Sequence, residues 1–389
     1  MQVNVADRRM GWSSTLVGLW LAAGCGTSNE CPLGSCPLTD LHAKGEGDAS
    51  AFMARYDQGP ARAVDAHPKE TQLRNLRQLT FAGQNAEAYF SFEGDQLIFQ
   101  STRADLTADQ IFTMDLAAGG LRLVSTGLGK TTCGYFLPGG RRILYASTHL
   151  DSPVPPAPPD HQKYGYVWKF NDGFDIFSAA PDGRDLRRLT STAGYDAECT
   201  VSPDGEWIIF TSMRSGDLEL WKMRTDGTDV TQLTHELGYD GGAFFTPDSR
   251  RIVYRGLTPT GGEQEAAYRE MMRLGMWRPG PLELRVMDAD GSNKRTFLAN
   301  GASNWAPFML PDGQRVIFSS NLHDTDPKNR NFDLYMIRVD GSGLQRITWD
   351  EQFDGFPMVS PDGKLLVWAA NRHGARPRDT NLFLAELAD

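Results

Sequence analysis

One short pattern occurs six times along this chain, and it constrains the fold more than any other feature. In its clearest copy, residues 202–205 read Ser-Pro-Asp-Gly and residues 207–210 form an apolar run. The copies recur at intervals in the mid-forties, with two longer intervals, and their anchors are Phe92, Pro138, Pro203, Pro247, Pro311 and Pro361. A period of about 45 residues built from short strands is typical of a β-propeller and not of a helical solenoid.

Each copy carries the signals of four strands. A run of β-branched and aromatic residues follows the anchor, as at 208–210, and a second segment of alternating polarity follows that, as at 218–221. An Asp-Gly pair then predicts a hairpin turn, and the copy closes on a short strand that ends in Leu-Thr or a similar pair. Four strands make one blade, so we predict an all-β, six-bladed propeller with four-stranded blades.

The repeats also resemble a known family. The succession of Leu-Thr, an Asp, Ser-Pro-Asp-Gly and an apolar strand is similar to the PD40 (WD40-like) repeats of the TolB-like propellers, from about Leu73 to the C-terminus. The resemblance implies a six-bladed propeller. TolB itself carries an additional α/β domain before its propeller, whereas the stretch between Cys25 and Leu73 is short and shows no helix or strand period.

The two ends of the repeat region complement each other. The last copy stops after its third strand, at 381–386, and the first copy begins one strand early, at 75–80. We therefore predict that the N-terminal strand completes the last blade and closes the ring, which hides a sheet edge from aggregation.

The N-terminus predicts export. Arg8 and Arg9 precede an apolar stretch, 12–24, that is too short for a membrane span and is typical of a signal peptide. Residues 21–25, Leu-Ala-Ala-Gly-Cys, resemble the lipobox of bacterial lipoproteins, although Ala22 stands where Leu is commonest. The resemblance implies lipidation of Cys25; the alternative is an ordinary signal peptide cleaved nearby.

We accordingly divide the chain into a signal peptide (1–24), a flexible tether (25–72) and the propeller (73–389). The expected location is the bacterial cell envelope, with the propeller attached to the membrane through its N-terminal lipid and facing the periplasm or the cell surface.

Charge and cysteine content limit the partners and the chemistry. The formal net charge is −10 and no basic stripe is present, which argues against nucleic acid as a partner. In an oxidising periplasm Cys31 and Cys36 could form a small disulfide loop. Cys133 and Cys199 fall in predicted innermost strands, where buried free thiols are expected.

No motif for catalysis is present. The chain lacks a Gly-x-Ser-x-Gly elbow and a second His after His235-Glu236, and its histidines do not form helical metal pairs. We therefore expect a monomeric, non-catalytic scaffold that binds an envelope protein, a saccharide or a peptide. The alternative is a metal-dependent propeller enzyme of the lyase or lactonase type, with its site at the channel mouth.

A polar residue stands seven positions before each anchor, where the innermost strand begins. These residues are Asn85, Thr131, Asp196, Asp240, Asn304 and Asp354, and two copies add Glu87 and Glu198 two residues later. One interpretation is structural: the side chains cap a loop by accepting backbone N–H bonds. The other is a calcium site in the central channel formed by Asp196, Asp240, Asp354, Glu87 and Glu198. No other cofactor is expected.

The long insertions, 148–172, 257–280, 321–331 and 371–380, all fall between the second and third strands of a repeat, which places them on one face. Loops on a rigid scaffold commonly carry binding residues. We predict Tyr164, Trp168, Trp277 and Trp305 as contact residues, with Asp196, Asp240 and Asp354 as polar anchors beneath them. The alternative is that these aromatic residues pack the insertions onto the blades.

Overall fold

The computed structural model describes residues 59–103, 106–170, 173–324, 331–376 and 379–388. Within them, six antiparallel sheets follow one another along the chain, and each contains four strands that run outward from an innermost strand, with a fifth strand added to the sixth sheet. The predicted six-bladed all-β propeller is confirmed. The signal peptide, Cys25, Cys31 and Cys36 lie outside the described residues.

The first three blades are formed by strands in chain order. Blade 1 contains β3 (Gln84–Phe90), β4 (Gln96–Thr102), β5 (Gln110–Asp115) and β6 (Gly119–Leu123). Blade 2 contains β7 (Thr131–Phe136), β8 (Ile143–Ser147), β10 (Asp175–Ala179) and β11 (Arg187–Arg188). Blade 3 contains β12 (Asp196–Val201), β13 (Trp207–Ser212), β14 (Glu219–Arg224) and β15 (Thr231–Gln232).

The remaining blades complete the ring. Blade 4 contains β16 (Tyr239–Phe245), β17 (Arg251–Leu257), β19 (Glu283–Asp288) and β20 (Arg295–Leu298). Blade 5 contains β21 (Asn304–Met309), β22 (Arg315–Ser320), β23 (Asp333–Arg338) and β24 (Gln345–Arg346). Blade 6 contains β25 (Asp354–Val359), β26 (Leu365–Ala370), β27 (Asn381–Leu387), β2 (Leu73–Gln78) and β1 (Arg62–Ala63).

The second strand of each blade is buried on both of its faces. Leu97, Ile98 and Phe99 of β4 are fully inaccessible to solvent, and so are Ile208, Ile209 and Phe210 of β13. The cause is the architecture, because each blade packs between two others and neither face of its middle strands meets water. The apolar runs therefore lack the alternation of a half-exposed strand.

The Ser-Pro-Asp-Gly motif recurs because its side chains build the turn between the first two strands. The Ser202 hydroxyl accepts from the backbone N–H of Trp207 at 2.9 Å, and a carboxylate oxygen of Asp204 accepts from that of Glu206 at 3.0 Å. Gly205 has φ 76°, in the left-handed region that favours glycine. The same bonds form around Ser360.

The ring closes through the two ends of the described chain, as the sequence predicts. β2 pairs antiparallel with β27, with Leu73 opposite Leu387 and Gln78 opposite Phe383. A buried ion pair reinforces this contact, because Arg372 Nη2 lies 2.9 Å from Glu70 Oε1 and also binds Asp354.

The packed region begins before the expected boundary at residue 73. β1 pairs with β2 at Arg62–Ala63, and Glu70 is only 2% exposed. The sequence predicts a flexible tether over 25–72, but the described part of this range, from residue 59, lies against the sixth blade. A two-residue strand and a single buried acid leave no periodic signal in the sequence.

The insertions lie between second and third strands, as expected. The first insertion contains α1 (His161–Tyr164) and β9 (Trp168–Lys169), and the insertion of blade 4 contains α2 (Gly262–Arg273) and β18 (Met276–Trp277). β9 and β18 pair with each other, so the two insertions form one structure across the top of the ring. No helix in the described residues is long and apolar enough to cross a membrane.

Glu70→Gln should destabilise the closed ring. The substitution removes one of the two buried carboxylates that bind the Arg372 guanidinium and leaves Asp354 and the more distant Asp350, and we expect the free energy of unfolding to fall by about 3 kcal/mol. Urea unfolding followed by fluorescence measures it. Glu386→Gln, on the exposed face of β27, is the matched control and should change stability by less than about 0.5 kcal/mol. Equal effects of the two variants would contradict a role of Glu70 in closure.

Candidate functional site

We call the six polar residues that stand seven positions before the repeat anchors the polar ring. The polar ring is buried, and its three aspartates are bound within their own blades. Asp196 accepts from the Ser212 hydroxyl at 2.5 Å and from Arg214 at 2.8 Å. Asp240 lies 3.2 Å from Arg285 Nη1, and Asp354 binds Arg372. Each aspartate thus has its own arginine, and the three carboxylates do not converge on the channel axis.

Burial has the largest effect on the pKa of two of these aspartates. It raises the pKa of Asp240 to about 7 against the opposing charge of Arg285, and it raises the pKa of Asp354 to about 6 against that of Arg372. The amides of the ring act as caps: Asn304 Nδ2 donates to the Leu282 carbonyl at 2.7 Å. These contacts agree with the structural interpretation of the ring.

A second set of residues, two positions after each member of the polar ring, lines the central channel; we call this set the channel ring. At this position every innermost strand has a β-bulge and a residue in the left-handed region. The six residues, with φ between 48° and 56°, are Glu87, Cys133, Glu198, Gly242, Ala306 and Phe356. Five of the six are not glycine, so the bulge holds them in a sparsely populated conformation that is typical of functional sites.

Glu198 is the centre of a fully bonded network in this channel ring. Its carboxylate accepts from Tyr239 Oη at 3.0 Å, from the Gly242 N–H at 2.8 Å and from Arg255 Nη2 at 2.9 Å. Thr211 Oγ1 donates as well, at 2.9 Å. A Cβ at Gly242 would lie 2.4 Å from the Arg255 guanidinium, so this position requires glycine for the network to form.

Glu87, in blade 1, belongs to the same channel ring and is less well satisfied. Its buried Oε2 has no hydrogen-bond partner among the described residues. Burial, and after it the negative charge of Glu198, raises the pKa of Glu87 to about 7. The cavity that these two residues line has a volume of about 20 Å³, which holds about one water molecule.

The two described cysteines are free and buried, as expected. Cys133 belongs to the channel ring, and the Cys199 thiol contacts the Cys133 carbonyl oxygen at 3.7 Å. Burial raises the pKa of Cys199 to about 12 and also raises that of Cys133. Both groups therefore stay as thiols at neutral pH and are poor nucleophiles.

Aromatic side chains fill the channel below the ring. The centroids of Tyr89 and Tyr135 lie 5.5 Å apart, and Phe244 lies 5.5 Å from both Tyr89 and Phe308. These residues come from the innermost strands of four different blades. The channel is therefore a packed core at this level and not an open pore.

The predicted aromatic contact residues close the channel from above. Trp277 stacks on Tyr239 at 4.2 Å and is 1% exposed, and Trp305 is 9% exposed beneath the Arg255 guanidinium. Trp168 lies 4.6 Å from Trp305 and is partly exposed, as is Tyr164 at the end of α1. Trp277 and Trp305 thus pack the insertions onto the blades, and a contact role for Tyr164 and Trp168 stays a prediction.

The carboxylates of the expected calcium site are not gathered in one place. Glu87 and Glu198 share the channel, whereas Asp196, Asp240 and Asp354 are bound within separate blades. In the part of the chain that the structure describes, no group of three or more His, Cys, Asp or Glu side chains is placed to hold a metal ion.

One further signal in the sequence favours the structural interpretation of the polar ring, and the predictions did not include it. An arginine follows the polar ring residue by eighteen positions in three repeats, and it binds that residue each time: Arg103 binds Asn85, Arg214 binds Asp196 and Arg372 binds Asp354. A repeated pairing of this kind indicates a structural ion pair or hydrogen bond and not a ligand.

No protein-family model matches the chain. The chain is 36% identical over 66 residues to an uncharacterised protein of Agrobacterium fabrum, which is 17% of this chain and 22% of that protein. It is 32% identical over 94 residues to the Tol-Pal system protein TolB of Thioalkalivibrio sulfidiphilus, which is 24% of this chain and 17% of that protein. The chain therefore matches only about a fifth of the length of these curated relatives.

Solved structures share the architecture at low sequence identity. TolB from Acinetobacter baumannii matches 78% of this chain and 69% of its own, with a TM-score of 0.51 and 16% identity. Oligogalacturonate lyase in complex with manganese matches 86% of this chain and 98% of its own, with a TM-score of 0.51 and 14% identity. These likenesses confirm the TolB-like six-bladed propeller as the fold.

Replacing Glu87 should change how stability depends on pH. Its pKa is about 7 in the folded protein and about 4.5 ordinarily, so the folded state holds an extra proton between these values. The free energy of unfolding of the wild type therefore falls as pH rises through this window. Glu87→Gln removes this loss, and we expect the variant to gain about 2 kcal/mol relative to the wild type between pH 5 and pH 8.

Urea unfolding at several pH values measures the difference. Glu93→Gln, an exposed acid on the opposite face, is the control and should run parallel to the wild type. Parallel curves for Glu87→Gln would show that Glu87 is ionised in the folded protein.

Proposed function

We propose that this chain is an exported, lipid-anchored propeller of the bacterial cell envelope that binds a protein on the face of its long loops. In this proposal it acts as a monomeric scaffold and catalyses no reaction. The blades hold the loops in place, so a partner binds with little loss of conformational entropy.

The observation that carries the proposal is an exposed apolar surface on the first insertion. Leu150, Val154 and Tyr166 are 49%, 68% and 58% exposed, and all three lie in this one loop. Several large apolar side chains exposed within one loop of a rigid scaffold are typical of protein-docking surfaces. The partly exposed Tyr164 and Trp168 lie in the same insertion and would extend this surface.

The filled channel supports binding over catalysis. Aromatic layers lie above and below the channel ring, and the space between them, about 20 Å³, is far smaller than the several hundred Å³ of small-molecule sites. A lyase or lactonase reaction at the channel mouth would need the insertions to move. A stoichiometric transition metal in the purified protein would instead support the enzyme alternative.

The leader and the likeness to TolB support the envelope as the location. The Arg-rich start, the apolar stretch and the lipobox resemblance before Cys25 are typical of an exported lipoprotein. The curated relative that shares a 94-residue match is a Tol-Pal system protein. From this likeness we carry over to the proposal a location in the cell envelope and no specific partner.

Removing the apolar surface should abolish partner binding and leave the fold intact. In the triple variant Leu150→Ser, Val154→Ser and Tyr166→Ser, the changed side chains are already in water, so we expect a melting temperature within about 3 °C of the wild type. We expect the amount of the specific cross-linked partner, recovered from the envelope fraction and identified by mass spectrometry, to fall at least tenfold.

The chain offers a matched control on its opposite face. Val230 and Leu344 are 41% and 42% exposed, and they lie in turns between third and fourth strands. Val230→Ser with Leu344→Ser should leave cross-linking unchanged. Equal losses in both variants, or no loss in the triple variant, would exclude the first insertion as the docking surface.

Replacing Cys25 should release the protein from the membrane without unfolding it. In Cys25→Ser no acyl chain can be attached, and the substitution lies outside the repeats whose strands form the blades. Fractionation should move the protein from the membrane pellet to the soluble envelope fraction, and mass spectrometry should detect acylation only in the wild type. A wild-type N-terminus without acyl mass would exclude lipid anchoring while leaving the docking surface to be judged separately.

A further inference from the structure

The six blades provide an internal comparison at the first residue of the third strand. This residue is Gln110, Asp175, Glu219, Glu283, Asp333 and Asn381 in blades 1 to 6. In blade 2, Arg188 Nη2 lies 2.6 Å from Asp175. In blade 5 the equivalent Arg346 binds Asp333, and in blade 4 Arg285 lies 3.0 Å from Glu283. Three of the four acidic copies are thus neutralised by an arginine.

Glu219 in blade 3 is the exception. The position of Arg188 and Arg346, thirteen residues after the acid, is occupied here by Gln232. The amide Nε2 of Gln232 donates to the Thr234 carbonyl at 2.7 Å, as Arg188 Nε does to Thr190 at 2.9 Å. A glutamine has no second donor group that could also reach the acid, so the carboxylate of Glu219 has no ion-pair partner among the described residues.

The unneutralised carboxylate lines a large pocket. Glu219 is 2% exposed, and its buried Oε2 has no hydrogen-bond partner among the residues that the structure describes. The pocket has a volume of about 660 Å³, within the range of small-molecule sites, and lies between blade 3 and helix α2. A buried carboxylate oxygen without a donor is costly unless a ligand supplies one.

The wall of the pocket is held in place by α2. Tyr268 Oη donates to Asp217 Oδ1 at 2.5 Å, and Asp217 also accepts from the Gly238 N–H at 2.9 Å. Asp217 is therefore fully bonded, and Glu219 Oε2 is the acceptor that lacks a donor among the described residues. Leu237 and Met272 supply an apolar lining suited to an alkyl chain.

The charged side chains at the mouth of the pocket limit which class of ligand can bind there. Arg269 and Arg273 project from α2 at the pocket, and Arg273 is bound to Glu270 whereas Arg269 has no ion-pair partner among the described residues. A second positive charge on the ligand would be repelled by these arginines, whereas an acidic group would be attracted to them. The pocket is thus acidic at its buried end and basic at its rim.

We propose that this pocket binds a small zwitterionic molecule, whose protonated amine donates to Glu219 Oε2 in place of the missing arginine and whose acidic group faces Arg269. The site lies on the loop face, but it is separate from the apolar surface of the first insertion and does not depend on the proposed protein partner.

Binding should also release a proton. Burial raises the pKa of Glu219 to about 8 against the hydrogen bond with the Thr234 side chain, and the negative charges of Asp240, Asp217 and Glu236 add to the rise, so the free site holds a proton at pH 7. His235, Arg269 and Arg273 are the basic groups that line the same pocket, and Arg273 is paired with Glu270. An ammonium ion favours the ionised carboxylate, and the displaced proton passes to the buffer.

Isothermal titration calorimetry of the purified protein tests the proposal with a matched set of probes. γ-Aminobutyrate, δ-aminovalerate and ε-aminocaproate place the ammonium and carboxylate groups at increasing separation. We expect at least one of them to bind about tenfold more tightly than hexylamine, and caproate to give no saturable heat. Titration in phosphate and in Tris should show the release of about one proton at pH 7. Failure of all three zwitterions to bind would overturn the proposal.

Two variants test whether the amine of the ligand binds Glu219. Glu219→Gln keeps the size of the side chain and removes its charge, and we expect affinity for the best zwitterion to fall at least about tenfold and proton release to disappear. Gln232→Arg rebuilds the pair of blades 2 and 5, so it should also abolish binding without lowering the melting temperature. Wild-type affinity in either variant would overturn the assignment of the amine to Glu219.

Two further variants complete the test. Glu283→Gln, at the same strand position in blade 4, is the control and should bind as the wild type does. Arg269→Ala should remove the preference for the zwitterion over hexylamine. A preference that survives this substitution would overturn the placement of the acidic group at Arg269.

Discussion

The pairing of β2 with β27 is the contact on which the rest of the propeller depends. Each blade is covered by a blade on either side, so an open ring would expose two apolar blade faces and the edge of β27. Leu73 and Leu76 of β2 pack in one buried cluster with Trp368 and Phe383 of blade 6. The ion pair between Glu70 and Arg372 adds a buried charge interaction to this joint. Residues about three hundred positions apart in the sequence must therefore come together to complete the ring.

The blades and their closure could be predicted because their signals are local and repeated. An apolar run, an Asp-Gly turn and a missing fourth strand each lie within one copy of the pattern. β1 and Glu70 could not be predicted, because one is two residues long and the other binds Arg372, far along the chain. For Asp240 the sequence leaves both interpretations open for the same reason: its partner Arg285 lies in a different strand and outside the repeated spacing of eighteen residues.

The channel ring shows why position can matter more than residue type. Its six members are two acids, a cysteine, a glycine, an alanine and a phenylalanine, yet all have the same backbone conformation at the same β-bulge. No property of these side chains predicts that they share a ring. The bulge is set by the strand pairing, and the side chains then decide the chemistry: Glu87, Cys133 and Glu198 make one half polar, whereas Ala306 and Phe356 make the other half apolar.

Comparison of equivalent positions in the six blades shows which residue types the fold requires and which positions can vary. Thr190, Thr234 and Thr348 accept from the equivalent backbone N–H group of the third strand in their blades. Ser125 does the same in blade 1, so the fold favours a hydroxyl side chain at this position. Gln232 stands where two other blades have an arginine, and the blade still forms. Its neighbour Glu219 keeps a buried carboxylate without the partner that neutralises equivalent acids elsewhere. Such a departure costs stability. The free protein lowers the cost by keeping Glu219 protonated at pH 7, and a bound cationic group would replace that proton.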